Sequence, residues 1–221
     1  MYQTVQTSCT TWYAPSMVNP ENPRPSGATA RGTDGNRRAE LVEAAVDHVT
    51  AHGIGDLSLR RLGAAIGVSH RMLIHYFGTR EQLLVEVVRR SERRQRELLS
   101  RLHAEPGRSP AEVARLLWRE LSDPRLAGRE RLFFEICGYA LRGRPEAVRV
   151  LDGIVADWLE PLVAAEVAAG ADAGTARNRA RLGLATVRGL LLDLLATGDR
   201  AGVDAALEEF LRLFYPPERP G

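Results

Sequence analysis

The stretch SLRRLGAAIGVSHRMLIHYFGTREQLL, residues 58–84, decides the fold. Ser58 and Ser69 each precede a short run with apolar residues at helical spacing, which is where a side-chain cap stands at a helix start. Gly67, between the two runs, tolerates the positive φ with which helices often end. Thr79 then opens a T-x-x-Q capping box ahead of a longer helix. Two short helices joined by a tight, glycine-containing turn form a helix-turn-helix, and the spacing predicts that motif here.

Outward from this stretch, every periodic segment has helical spacing. Apolar residues of 36–52 lie on one stripe and Gly53 follows as a stop, which predicts a first helix. The helix that Thr79 opens is predicted to run to about Leu102. No segment alternates with period two, so we expect an all-α protein of about nine helices. Five further helices are predicted near 110–122, 126–142, 145–169, 173–197 and 200–214. Pro161 is expected to kink or restart the third of these.

Composition divides the chain into a tail and two folded domains. Residues 1–33 are rich in Thr, Ser, Pro, Asn and Gly and are predicted to form a disordered or loosely attached tail. Residues 34–85 form the predicted helix-turn-helix domain, and residues 103–216 a second, all-helical domain. Residues 31–102 carry 13 Arg against 9 acids, while the rest of the chain after them carries 16 Arg against 18 acids. The first folded domain is therefore the basic one.

The bulk composition is that of a globular protein that works in a reducing compartment. Hydrophobic residues make up 44% of the chain, charged residues 26%, and the net charge is +2. The amino terminus lacks the pattern of a secretory signal and no apolar run is long enough for a membrane span, so we expect a cytoplasmic protein without a membrane partner. Met17 is an alternative start of the chain. Cys9 and Cys137 offer neither a ligand spacing nor a disulfide framework.

Motifs for catalysis, cofactors and metals are missing from the sequence. There is no G-x-S-x-G, no P-loop and no G-x-G-x-x-G, so we expect neither an enzyme nor a cofactor. His48 and His52 share a helical face but lack a third ligand, and no metal site is predicted. Cys137 is interpreted as a small buried hydrophobe rather than a nucleophile. The run 89–97 interleaves acids with arginines, which favours a solvent-facing helix over a nucleic-acid patch.

The third predicted helix has polar residues left over once its apolar face is assigned to a core. A helix inserted in the major groove must offer hydrogen-bond donors or apolar contacts to base edges, and His70, Arg71, Met72 and His75 do so. Residues 58–80 contain four arginines, two histidines and no Asp or Glu, so nothing there repels phosphate. The pattern predicts binding to double-stranded DNA, with backbone oxygens gripped by Arg60, Tyr76 and Arg80.

Residues 36 to about 85 resemble the DNA-binding domain of TetR-type regulators. The family pattern S-x-x-x-[LI]-A-x-x-A-G-V-S-x-x-x-[LI]-Y-x-Y-F-x-[ST]-K-x-x-L is similar to the stretch quoted above. The resemblance implies base or groove contacts from Arg60 and from the third helix, and phosphate contacts from the capping and flanking residues. Three positions depart from the pattern: Ile74 replaces the usual Tyr, Gly63 the usual Ala, and Arg80 the usual Lys. The DNA-binding residues predicted in total are Ser58, Arg60, Ser69, His70, Arg71, Met72, His75, Tyr76, Thr79 and Arg80.

The same resemblance implies a second, all-helical domain that binds a small ligand and dimerises through its last two long helices. The residues agree, because 180–196 is apolar nearly all round and such a helix must be covered on two sides. Gly183, Ala185 and Gly189 would let another helix come close. Which face of this helix meets a partner stays open, and the residues predicted for the interface are Leu184, Val187, Leu191, Leu195, Val203, Leu207, Phe210 and Phe214.

The aromatic residues of the second domain either line a cavity or fill a core. With Arg188 and Asp193 on a helix that can face such a cavity, we expect an unknown effector that is mostly hydrophobic and carries a polar group. The residues predicted for the pocket are Trp118, Phe133, Phe134, Cys137, Trp158, Arg188, Leu192 and Asp193.

Together these features predict a homodimeric transcriptional regulator, a repressor that a small molecule releases from a near-palindromic operator. Its two recognition helices would stand about 34–36 Å apart to enter successive major grooves. An effector that prefers a dimer with another spacing would lower operator affinity. The alternatives are a ligand-independent architectural DNA-binding protein, and an enzyme or carrier built on a helical scaffold. The acid-free helix-turn-helix argues against the last of these.

Overall fold

The computed structural model describes residues 27–53 and 57–216, with side chains from residue 34 onward. Over these ranges it contains nine α-helices and no strand, so the predicted all-α fold class is confirmed. The predicted tail lies outside the described residues up to residue 26. The helices are α1 Gly27–His52, α2 Leu59–Ala65, α3 His70–Phe77, α4 Arg80–Ala104, α5 Pro110–Leu121, α6 Ala127–Leu141, α7 Ala156–Ala168, α8 Ala173–Thr197 and α9 Arg200–Phe214.

Two predicted helices have other bounds in the structure. Helix α1 begins at Gly27 rather than at Asn36, because no proline interrupts the segment between them. The helix predicted over 145–169 is wrong in its first half, where turns and a 3₁₀ segment, Val148–Leu151, precede α7. Pro161 lies inside α7 without ending it, since its missing N–H affects only an early turn of that helix.

The helix-turn-helix and the second domain share one continuous core. Side chains of α1, α2 and α3 pack against the first half of α4, and Leu73 and Leu62 are fully buried there. Leu132 and Ile136 of α6 belong to the same cluster and are also fully buried. Helix α6 therefore packs directly on α1 as well as on α4.

The carboxy-terminal helices form a layer around α8. Helices α7 and α9 pack on it, and Leu184 and Leu191 turn inward. The indole Nε1 of Trp118 in α5 donates to Asp204 of α9 at 2.7 Å, which ties the two helices together. No described helix is long and apolar enough to span a bilayer, and no group of three acid, His or Cys side chains in the described ranges is placed to hold a metal ion.

Candidate nucleic-acid interface and interior cavity

Side-chain caps place α2 and α3 as the sequence predicts. Ser58 accepts a hydrogen bond from the backbone N–H of Arg61 at 3.2 Å, and Ser69 accepts one from Met72 at 3.1 Å. Gly67 adopts a φ of 72°, which favours glycine. A Cβ at position 63 would lie 2.8 Å from the Val68 carbonyl oxygen, so the tight turn leaves no room for the alanine that the family usually has.

Helix α3 turns one face into the core and the other to solvent. Leu73 and Phe77 are 0% and 4% exposed, whereas His70, Arg71 and His75 are exposed. Ile74, at the position of the usual family tyrosine, is 45% exposed on the same outer side. Met72 is half-buried and packs against the core, so less of it faces outward than predicted. The outer face of α3 thus presents two imidazoles, a guanidinium and an aliphatic side chain.

The residues predicted to contact phosphate differ in their exposure and in whether they already have hydrogen-bond partners. Arg60 is exposed, but the hydroxyls of Ser58 and Thr79 accept backbone hydrogen bonds as helix caps. Arg80 is half-buried, and its Nε donates to the Leu57 carbonyl oxygen at 2.5 Å. This bond braces the segment before α2, and Nη1 of the same guanidinium lies 3.6 Å from Oε1 of Glu81.

Tyr76 has an acidic neighbour that the sequence pattern did not reveal. A hydrogen bond with the Asp34 carboxylate raises the pKa of the Tyr76 phenol, and the ring is half-buried against the core. Asp34 comes from α1 and is distant in sequence, so the acid-free run 58–80 gave no signal of it. The Tyr76 hydroxyl therefore has an intramolecular partner in the absence of DNA.

Between the helices of the second domain lies an interior cavity of about 100 Å³, which has room for several water molecules or a small organic molecule. Its wall is mostly apolar but includes three buried glutamates, Glu92, Glu130 and Glu166. The remaining polar wall includes Arg188, which contacts Glu92, and Tyr215, which contacts Glu166. Helices α4 through α9 all contribute to the wall.

Three of the eight residues predicted for the pocket line this cavity, namely Phe133, Trp158 and Arg188. The other five do not line it, because α5, α6 and α8 direct them elsewhere. Trp118 is buried against α9, Phe134 and Cys137 are half-buried against the shared core, and Leu192 and Asp193 are exposed on α8. Burial raises the pKa of the Cys137 thiol to about 11.

The residues predicted for the dimer interface lie mainly inside one subunit. Four of them are buried, namely Leu184, Leu191, Val203 and Leu207, because α7 and α9 cover that face of α8. The other four, Val187, Leu195, Phe210 and Phe214, are half-buried, and the two phenylalanine rings stack at 4.5 Å. The opposite face of α8 is open and forms the outer stripe, defined here as Leu182, Ala185, Gly189, Leu192 and Ala196.

The burial of Glu92 was not predicted, because this residue stands in the run 89–97, whose interleaved acids and arginines favour a solvent-facing helix. The side chains of Arg90 and Arg94 in this run do extend from the surface of α4, and both pair with Glu43 of α1. Glu92 and Gln95, however, are 9% and 5% exposed. They continue the stripe that the buried apolar residues of α4 form before and after them, so a periodicity test through the charged run would have placed both side chains inward.

Comparison with known proteins matches the same region. Residues 41–87 fit the model of bacterial regulatory proteins of the tetR family. The HTH-type transcriptional regulator BetI of Stenotrophomonas maltophilia (strain R551-3) is 26% identical over 87 residues, 39% of this chain and 44% of that protein. The chain therefore spans less than half of the length of this curated relative.

Solved structures match most of the chain. A multidrug binding protein, EbrR, crystallised with imidazole, is 28% identical with a TM-score of 0.55 over 80% of this chain and 94% of that one. A putative transcriptional regulator from Rhodococcus sp. RHA1 shares the fold with a TM-score of 0.63 at 20% identity. The match covers 82% of this chain and 96% of that one. Residues 41–87 thus resemble the DNA-binding region of bacterial regulatory proteins of the tetR family, and the chain shares its fold with these solved structures over most of their length.

Proposed function

We propose that this protein is a DNA-binding transcriptional regulator that lays α3 in the major groove. The observation that carries the proposal is the outer face of α3, where His70, Arg71 and His75 are exposed while Leu73 and Phe77 hold the helix to the core. Arginine and histidine donate hydrogen bonds to base edges, and Ile74 offers an apolar contact to a thymine methyl group. The inner side of α3 is thus anchored to the core, and its outer side is free to contact base edges in DNA.

The charge around α3 supports the same function. Residues 58–80 contain four arginines and no acid, so phosphate oxygens meet no carboxylate in that stretch. Contacts to phosphate would supply most of the affinity and its dependence on salt. Arg60 is exposed at the start of α2, and Arg80 keeps guanidinium nitrogens beyond the one that bonds to Leu57.

The protein acts, in this proposal, as a repressor that a small molecule releases from its operator. The cavity of the second domain supports an effector site, and the similar protein EbrR is described as a multidrug binding protein. Helix α6 connects the cavity to the helix-turn-helix, because Glu130 lines the cavity while Gly128 meets the end of α1. An effector that shifts α6 would shift α1 with it.

The operator-binding form is proposed to be a homodimer on a near-palindromic site. The outer stripe of α8 supports this, since Leu182 and Leu192 are 47% and 51% exposed. Ala185 and Gly189 between them, and Ala196 one turn beyond, allow close helix packing. Pairing of two such stripes is isologous, so each subunit would present one α3 to its own half-site.

The test is DNA binding by the purified full chain at several salt concentrations. A preferred site is first selected from a random-sequence duplex library, and affinities for that site and for unrelated DNA are measured by fluorescence anisotropy. We expect Arg71→Ala to weaken binding to the selected site by about 1–3 kcal/mol, while binding to unrelated DNA changes little. Arg177→Ala removes the same charge from an exposed position of α8 and serves as the control.

Equal losses on selected and unrelated DNA in Arg71→Ala would show that this arginine does not read bases. If the selection yields no preferred site although DNA is bound, the architectural alternative is correct. Absence of DNA binding at low salt would disprove the proposed function.

A further inference from the structure

Glu166 places an unused hydrogen-bond acceptor in the wall of the cavity. The residue is 5% exposed, and its Oε1 accepts from the Tyr215 hydroxyl at 2.5 Å. Its Oε2 is buried and has no hydrogen-bond partner among the described residues. Buried carboxylate oxygens nearly always have a donor, because leaving one without a partner costs its full desolvation energy. A donor supplied by a bound molecule would remove that cost.

The nearest cations do not satisfy this oxygen. The Nη1 of Arg179 lies 3.7 Å from Oε2, which is beyond hydrogen-bonding distance, and the arginine side chain is 41% exposed, so solvent weakens the ion pair. His103 lines the same cavity, and burial, against the opposing charge of Glu166, lowers the pKa of its imidazole and so disfavours its cationic form. The negative charge of Glu166 is thus incompletely matched within the chain.

Glu92 and Arg188, which form another ion pair in the wall, already have partners. Glu92 Oε2 accepts from the Trp158 indole at 2.7 Å and from Arg188 at 3.1 Å. Arg188 donates in addition to the Ile154 carbonyl oxygen at 2.8 Å, and its guanidinium lies over the Phe133 ring at 5.1 Å. An anionic ligand would have to displace Glu92 to reach this arginine. Among the buried polar atoms that the structure describes in this wall, only Oε2 of Glu166 is therefore without a hydrogen-bond partner.

We propose that the cavity binds a small apolar molecule bearing an amine, whose ammonium group donates to the Glu166 carboxylate. This inference rests on the proposed function only in that the cavity is taken as the effector site. The apolar body of the ligand would pack against the aliphatic and aromatic wall, which includes Leu99, Leu162, Leu184, Val187 and Phe210. An ammonium at a buried carboxylate forms a charge-assisted hydrogen bond, the strongest kind available to this wall.

The experiment compares three probes with one phenylbutyl body: phenylbutylamine, phenylbutanol and phenylbutyrate. Each is titrated by calorimetry into the full chain at pH 7 without DNA. We expect phenylbutylamine to bind most tightly. Glu166→Gln should weaken the amine about tenfold to a hundredfold and leave the alcohol nearly unchanged, since a neutral amide loses the charge but can still accept from Tyr215. Glu160→Gln, at an exposed position of the same helix, is the matched control and should change nothing.

Three results would overturn the inference: phenylbutyrate binding as tightly as the amine, an equal loss of amine affinity in Glu160→Gln and Glu166→Gln, or no binding by any probe. Thermal melting of both variants shows that each is folded before the comparison is made. Because DNA is absent from these titrations, failure of amine recognition is separate from failure of operator binding, which the Arg71→Ala experiment measures.

Discussion

At the scale of single residues, Glu130 is an acid whose pKa is strongly raised by burial. Its side chain is 3% exposed, and its Oε1 accepts from Gln95 at 2.9 Å and from the Nε of Arg129 at 2.8 Å. Burial raises the pKa of this carboxyl to about 7, against the partial opposition of Arg129. The folded protein therefore holds a proton that the unfolded chain, with an ordinary glutamate pKa near 4.5, has already released.

This pKa predicts a specific pH dependence of stability. Because the folded state binds the proton more tightly, the free energy of unfolding should fall as pH rises from about 4.5 to about 7, by at most about 3 kcal/mol from this group. Glu130→Gln should reduce that fall, since the amide resembles the protonated acid at every pH. Urea denaturation at pH 5 and pH 8 measures the difference, with the exposed Glu146→Gln as control. Identical pH profiles for all three proteins would contradict the assignment.

At the scale of elements, the starts of α2, α3, α4, α8 and α9 were predictable, because they depend on local chemistry. The capping box of Thr79 forms in both directions, with Gln82 N–H donating to Thr79 Oγ1 at 3.1 Å and Thr79 N–H donating to Gln82 at 3.1 Å. The bounds of α8 and α9 agree with the predicted ranges 173–197 and 200–214. Each of these signals lies within a few residues of the position that it determines.

What could not be predicted depends on contacts between distant parts of the chain. Helix α8 is apolar all round, so only the packing of α7 and α9 determines that Leu184 faces inward and Leu192 outward. The turns before α7 include Gly153 at a φ of 76°, and no local pattern distinguishes them from a helix containing a glycine. The position of Asp34 beside Tyr76 likewise requires the tertiary fold.

The contact between α6 and α1 gives a prediction at this scale. A Cβ on Gly128 would lie 2.9 Å from the Gly53 Cα and 3.2 Å from the Val49 carbonyl oxygen, both backbone atoms. Gly128→Ala should therefore force the helices apart and lower the free energy of unfolding by about 1–3 kcal/mol. Gly138→Ala, in the same helix with nothing within 4 Å, should raise it by about 0.5–1 kcal/mol. Urea denaturation distinguishes the two, and equal effects would show that the contact is not tight.

At the scale of the whole molecule, the surface of α8 is the strongest candidate for self-association. The outer stripe is continuous and apolar, with Leu192 51% exposed one turn before its carboxy-terminal end. We expect Leu192→Asp to shift a dimer to monomer, because dimerisation would bury two carboxylates without partners. Leu141→Asp, at a leucine that is 77% exposed at the end of α6, is the control and should stay dimeric. Sedimentation equilibrium measures the mass of each protein, and a dimer that persists in Leu192→Asp would place the interface elsewhere.

Helix α4 carries residues of both the cavity and the DNA-reading end. It runs for 25 residues, from Arg80 beside the helix-turn-helix past Glu92 in the cavity wall. At about 1.5 Å per residue, the distance from Glu92 to Arg80 is about 18 Å, so a tilt of about 10° at the cavity moves the far end by roughly 3 Å. Two subunits tilting in opposite directions would change the separation of their α3 helices by roughly 6 Å, a sizeable part of one turn of B-DNA. A rigid α4 would then be enough, without any large rearrangement, to give the two α3 helices a separation that no longer matches successive major grooves.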